Sequence, residues 1–136
     1  MTATDDGLAA EYAAIYAYGA ATVHLDGDPR WVAESLEAEH RSRRDALLDY
    51  YDANGLDAPP ALAGYDFEPL TDAEGAQQLL LEVEANVTTV WRAGLGSEPE
   101  VRELCLDMYI DAAVALARWR IAIGSAAADP WPGRPE

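Results

Sequence analysis

"LEAEHRSRRDAL", residues 36–47, decides how the rest of this 136-residue chain is read. At 100° per residue Leu36, His40 and Leu47 fall on one helical face, with Glu37 one turn before His40. Soluble helices turn charge towards water, so a Glu and a His on an apolar stripe are informative. Such a pair either shares a cation or satisfies itself inside a buried hydrogen-bonded network. The neighbouring helices have to supply the partners in both cases.

Working outward, Asp28 and Pro29 of "DGDP" are expected to cap and open this helix, and Gly55 to stop it after Asn54. Its inward stripe is Ala33, Leu36, His40, Leu47 and Tyr51. Before it, about Asp5 to Leu25 reads as a helix with Leu8, Tyr12, Ile15, Gly19 and Val23 in line. After it, "LDAPPALAGYDFEPL", residues 56–70, carries three prolines and cannot stay helical. That is too long for a tight turn, so it is expected to cross the bundle. "TDAE" then offers a capping box of Thr71 and Glu74, opening a third helix to about Ala93 with Leu80, Val87 and Trp91 inward. Ser97 and Glu100 suggest a second box, with Pro99 in the first turn of a fourth helix. Its stripe is Val101, Leu104, Met108, Ala112, Ala115, Trp119 and Ala122. The tail from about residue 126, "DPWPGRPE" at its end, is expected to be irregular and pinned by Trp131. The pattern predicts one all-α domain spanning 1–136, a four-helix bundle of two helical hairpins joined by a long crossover.

Composition removes several function classes. Twenty-five acidic residues against nine basic ones give a formal charge of −16. That field repels nucleic acid and anionic lipid, whose binding relies on basic patches. The one basic cluster, "RSRR" at residues 41–44, spreads around its helix and reads as ion pairing. No apolar run reaches the roughly 20 residues of a membrane span. The start, "MTATDDGLAAEY", lacks a basic stretch followed by an apolar core, so a cytoplasmic protein is expected. Cys105 is the single cysteine, which leaves no internal disulfide and no thiolate cluster. No glycine-rich phosphate loop or Ser/His/Asp arrangement is present.

Inward polar residues recur on the other helices. Glu11 lies between Leu8 and Ile15. In "LLLEVEANV", Glu82 shares a face with Gln78 and Asn86 and should be solvated, whereas Glu84 shares one with Leu80, Val87 and Trp91. Asp111 follows Met108 on the fourth helix. A di-iron carboxylate bundle takes one Glu from each of two helices and a Glu-x-x-His from each of the other two. Oxygen and imidazole donors suit iron or manganese. Glu11, Glu37, His40 and Glu84 fill three of the four places, with Asp111 as a shortened fourth. No histidine follows Asp107 or Asp111 by three residues. The competing reading is a metal-free network: His40 between Glu11 and Glu84, with Arg43, Arg44 or Arg118 neutralising the carboxylates.

"EYAAIYAYG" at residues 11–19, "AEHRSRRDAL" at 38–47 and "ARWR" at 117–120 resemble an actinobacterial ferritin-like domain family of uncharacterised function. The resemblance implies a ferritin-like four-helix fold, as a homodimer, and brings no established activity or substrate. It supplies no second histidine either. The resulting expectation is a non-enzymatic binding or interaction protein with a degenerate metal site and no cofactor, its small-molecule ligand unknown. The alternative is an iron- or manganese-binding carboxylate protein with oxidase or metal-handling activity. Homodimerisation through a Trp- and Ala-rich helix face is the third expectation.

Overall fold

The computed structural model describes residues 2–126 and 131–134, and among these the chain is helical with no strand. Four long helices form: α1 (Ala3–Ala21), α2 (Gly27–Ala53), α3 (Ala73–Ala93) and α4 (Pro99–Ala122). Short 3-10 turns at Thr22–His24 and Gly94–Gly96 close the two hairpins. Helix α1 packs on α2 and α3, and α4 packs on the same two from the other side.

Two apolar clusters show the direction of each helix. One gathers Leu8, Leu47, Tyr51, Val87, Trp91, Cys105 and Met108. The other gathers Tyr18, Ala21, Leu25, Ala33, Leu36, Leu80, Ala115 and Trp119. The start of α1, the end of α2, the end of α3 and the start of α4 therefore meet at one end. The order is up, down, down, up, and every adjacent pair is antiparallel. Such an order needs a connection that travels the length of the bundle, which residues 56–70 provide. Ala58 packs against the first cluster and Leu70 against the second. Between them the strap is held to α1 by ring contacts of Tyr65 and Phe67 with Tyr16, at centroid separations of 5.4 and 6.0 Å.

The inward stripe expected for α2 is buried throughout, and so is that of α3. The stripe expected for α1 is displaced. Leu8 is buried, but Gly19 and Val23 face solvent and Tyr12 and Ile15 are only half-buried. The buried face is Thr4, Gly7, Leu8, Ala10, Glu11, Ala14, Ala17, Tyr18 and Ala21. A hydropathy reading favours large side chains, whereas close packing of α1 against two neighbours selects its alanines and a glycine. Gly7 shows why: a Cβ there would meet the Trp91 ring at 2.1 Å.

The caps also differ from expectation. Thr2 and Asp5 form a capping box that opens α1 earlier, with each side chain bonded to the other's backbone N–H. Asp5 also accepts from the Tyr51 hydroxyl of α2. Helix α3 is capped by Asp72, which accepts from Gly75 N at 2.8 Å, instead of by the Thr71–Glu74 box. An aspartate one residue on caps as well as a threonine, so the start slips by one. The Ser97–Glu100 box does not form either. Pro99 takes the first helical position, where its missing N–H costs nothing, leaving Glu98 at the cap without a side-chain bond. Helix α2 begins at Gly27, behind Asp26, so Asp28 lies inside its first turn.

The tail is held through Pro132. Its carbonyl accepts from Arg92 Nη1 at 3.0 Å and from the Tyr109 hydroxyl at 2.7 Å, while Trp131 is 60% exposed. The rest of the expected irregular tail, residues 127–130 and 135–136, lies outside the described residues. No helix among the described residues is long and apolar enough to cross a membrane.

Gly7→Ala is expected to lower stability by about 1–3 kcal/mol through overpacking against Trp91. Gly19→Ala, with nothing within 4 Å of its Cβ, is expected to add about 0.5–1 kcal/mol through helix propensity. Urea midpoints of the two variants check the opposite signs.

Candidate functional site

Between the two apolar clusters lies a polar layer. Helix α2 presents Ala33, Leu36, His40, Arg43, Leu47 and Tyr51 as its buried residues. His40 therefore points to the bundle centre, with Arg43 one turn on and still inside the stripe. Helix α1 contributes Glu11 and α3 contributes Glu84, and all three of Glu11, His40 and Glu84 have no exposed surface.

The geometry is that of a closed hydrogen-bonded chain. His40 Nδ1 lies 2.6 Å from Glu11 Oε2, and His40 Nε2 lies 2.6 Å from Glu84 Oε1. Arg43 Nε donates to Glu11 Oε1 at 2.9 Å, and Trp91 Nε1 donates to the same oxygen at 3.0 Å. The Tyr18 hydroxyl donates to Glu84 Oε1 at 2.5 Å. Thr88 Oγ1 donates to the Glu84 backbone carbonyl at 2.7 Å. Tyr18 comes from one apolar cluster and Trp91 from the other, so each half of the core sends one polar tip into the layer.

Proton positions follow from this arrangement. A neutral imidazole has one donor and one acceptor nitrogen, and could not donate to two carboxylates. Burial pushes His40 towards the neutral form. The charge of Glu84 and hydrogen bonds to Glu11 and Glu84 outweigh that, and its pKa is pushed up from 6.5 to about 9. Both ring nitrogens then donate. Arg43 Nη2, 2.9 Å from Nδ1, is a donor against a donor in that state, so the guanidinium acts through its Nε bond. Burial also pushes Glu11 up, but its bond to His40, the charges of His40 and Arg43 and the Trp91 bond hold it below the usual carboxylate value. For Tyr18, burial and the Glu84 carboxylate act together and push the phenol well above its ordinary value. It stays a donor. Two carboxylates face one imidazolium and one guanidinium, and the layer is neutral overall.

Two expected site residues are elsewhere. Glu37 lies on the edge of the α2 stripe and reaches out to Arg41, 3.3 Å away. Asp111 is exposed, because it sits about a quarter turn from the Met108–Ala112–Ala115–Trp119 face of α4. Helix α4 thus gives the layer no acidic or imidazole side chain. Of the three arginines considered, only Arg43 enters. Arg44 pairs with Asp45, and Arg118 pairs with Glu39 while also donating to Ser35. Trp91 was expected only as an inward residue of the third helix, and its indole N–H, with the Tyr18 hydroxyl, completes the network. The i, i+7 spacing of Glu84 and Trp91 was the available signal for the indole, since it sets both on one face. Among the described residues, no group of three or more His, Cys, Asp or Glu side chains is placed to hold a metal ion. Glu84 Oε2 is the one buried side-chain polar atom among them without a hydrogen-bond partner.

The family model described as "Domain of unknown function (DUF4439)" matches residues 3–136, and the chain belongs to that family. Among solved structures it is similar to a conserved hypothetical protein, rv2844, from Mycobacterium tuberculosis. The two are 29% identical with a TM-score of 0.81, over 96% of this chain and 90% of that one. No curated protein matches the chain.

Removing His40 leaves two carboxylates facing each other in the core, so His40→Ala is expected to cost about 3–5 kcal/mol in chemical denaturation. Tyr18→Phe, which strips one donor from Glu84, is expected to cost about 1–3 kcal/mol. The pH profile has a definite sign. His40 has a raised pKa, so its contribution is complete below about 6.5 and is lost as pH rises through about 9. Glu11 has a lowered pKa, so its contribution is present above 4.5 and is lost as pH falls through the lowered value. The urea midpoint should therefore be highest between about 4.5 and 6.5 and decline towards alkaline pH. His40→Gln should abolish the alkaline decline.

Proposed function

We propose that this chain is a ferritin-like bundle acting as a non-enzymatic binding or interaction protein, in which a neutralised ion network stands where relatives of that architecture hold metal. The up, down, down, up order with a long crossover supports the ferritin-like reading. The observation that carries the loss of metal chemistry is Arg43. Its guanidinium binds Glu11 from inside the layer and supplies the positive charge that a cation would otherwise supply. Both His40 nitrogens are also committed to carboxylates, whereas a metal requires an imidazole lone pair. With Glu37 and Asp111 outside the layer, the donor set shrinks to Glu11, His40 and Glu84. That set does not fit a two-metal carboxylate centre, which needs carboxylates from all four helices.

A second reading, an iron- or manganese-binding protein with oxidase or metal-handling activity, is favoured by one observation. Glu84 Oε2 is buried without a partner, and such an oxygen is a ready cation ligand. The two readings separate on metal content. Protein purified without chelator is expected to contain iron, manganese and zinc far below one equivalent, and its melting temperature should not respond to added Mn²⁺ or Fe²⁺. One equivalent of bound metal, lost in His40→Gln, would falsify the metal-free reading.

A further inference from the structure

We propose that the outward face of α4 is a two-fold docking surface whose partner is a second copy of this chain. Leu106, Ile110, Val114 and Ile121 stand 43, 51, 56 and 65% exposed, and with Ala113 and Ala117 they make one apolar stripe along the helix. Trp31 of α2, 69% exposed, continues it at the Ile121 end. Four large aliphatic side chains in line on a solvent face, beside an exposed tryptophan, form a contiguous patch of the kind that marks an interface.

The order of residues along the stripe fits a copy of itself. Leu106 and Ile121, Ile110 and Ala117, and Ala113 and Val114 are each equidistant from the midpoint between Ala113 and Val114. An antiparallel copy of α4 related by a two-fold axis at that midpoint brings Leu106 level with the partner's Ile121. It also sets Ile110 against the partner's Ala117 and Val114 against the partner's Ala113. Large meets small at the central positions, as close helix packing requires. Beside Ile121 lies an open hollow of about 460 Å³ lined by Asp28, Trp31, Val32, Arg118, Ile121 and Ala122. The partner's Leu106, level with Ile121, is the side chain that this relation delivers to it.

Charge agrees with the same relation. A two-fold axis of this kind keeps each flank of the stripe against the same flank of the partner. Asp107, Asp111 and Arg118 share the flank on the α2 side, where Arg118 holds Glu39 at 2.7 Å. The acidic pair then lies level with the partner's Arg118, twice over. In a chain of formal charge −16, this relation sets the exposed carboxylates of each α4 near a guanidinium of the other copy, one that each chain also pairs with its own Glu39.

The test is solution mass by light scattering with the full chain, together with engineered cysteines. At micromolar concentration the wild type is expected at twice 14.7 kDa, and Val114→Arg at the monomer mass with unchanged helical circular dichroism. Val114→Cys, close to the axis, should cross-link under mild oxidation at least roughly tenfold faster than Ala38→Cys on an exposed face of α2. A monomeric wild type, a Val114→Arg variant that remains dimeric, or equal cross-linking of the two cysteine variants would each overturn the proposal.

Discussion

Four buried ionisable side chains on three helices set the terms for everything else in this bundle. Desolvating each of them costs several kcal/mol, and their mutual attraction offsets that only if the geometry is good and the remaining donors and acceptors are met. Glu11, His40, Glu84 and Arg43 approach that condition only together, with Glu84 Oε2 the one acceptor left unmet among the described residues. His40 needs both carboxylates to stay doubly protonated, and Glu11 needs Arg43 and Trp91 on its second oxygen. The consequence is register. A slide of α1, α2 or α3 by one turn would strand at least one charge, so the network fixes how the helices sit along one another.

The apolar packing is arranged around that layer. One hydrophobic cluster lies on each side, and each sends a single amphipathic aromatic into it. Trp91 and Tyr18 bury large rings while spending their only strong donors on the carboxylates. Room for the Trp91 ring comes from Gly7, one turn before Glu11 on α1. The small residues of α1 are therefore part of the same arrangement as the charges. They let the helix approach closely enough for Glu11 to reach His40 and Arg43. Helix α4 stands apart from this. It supplies apolar contact on its inner face and a second apolar stripe on its outer one, and its acids stay in water.

The site was legible as far as periodicity carries. Glu11, His40 and Glu84 each shared a helical stripe with large apolar side chains, and the opposite fates of Glu82 and Glu84 followed from their neighbours alone. Glu37 and Asp111 were misplaced because one turn of helix is three to four residues, and a side chain three positions from a buried one still lies well off its line. At the edge of a stripe, burial depends on how tightly the neighbouring helix packs. The same limit affected the caps, where Asp72 and Thr71 compete within a few tenths of a kcal/mol, while Pro99 at the first helical position sets the start of α4 past Ser97. On α1, hydropathy pointed at Tyr12, Ile15 and Val23, while packing selected the alanines.

The sequence by itself determined that the chain is all-helical, where its helices break, and that polar groups on three helices share the core-facing stripes. These properties are local: they depend on proline, glycine, capping residues and the helical period. Tertiary structure alone decided which arginine neutralises the carboxylates, that a tryptophan joins the network, and that α4 leaves its aspartates outside. Those outcomes depend on the distance and rotation between helices distant in sequence. A difference of an ångström or two there separates a 2.6 Å hydrogen bond from no contact, and no local pattern specifies it.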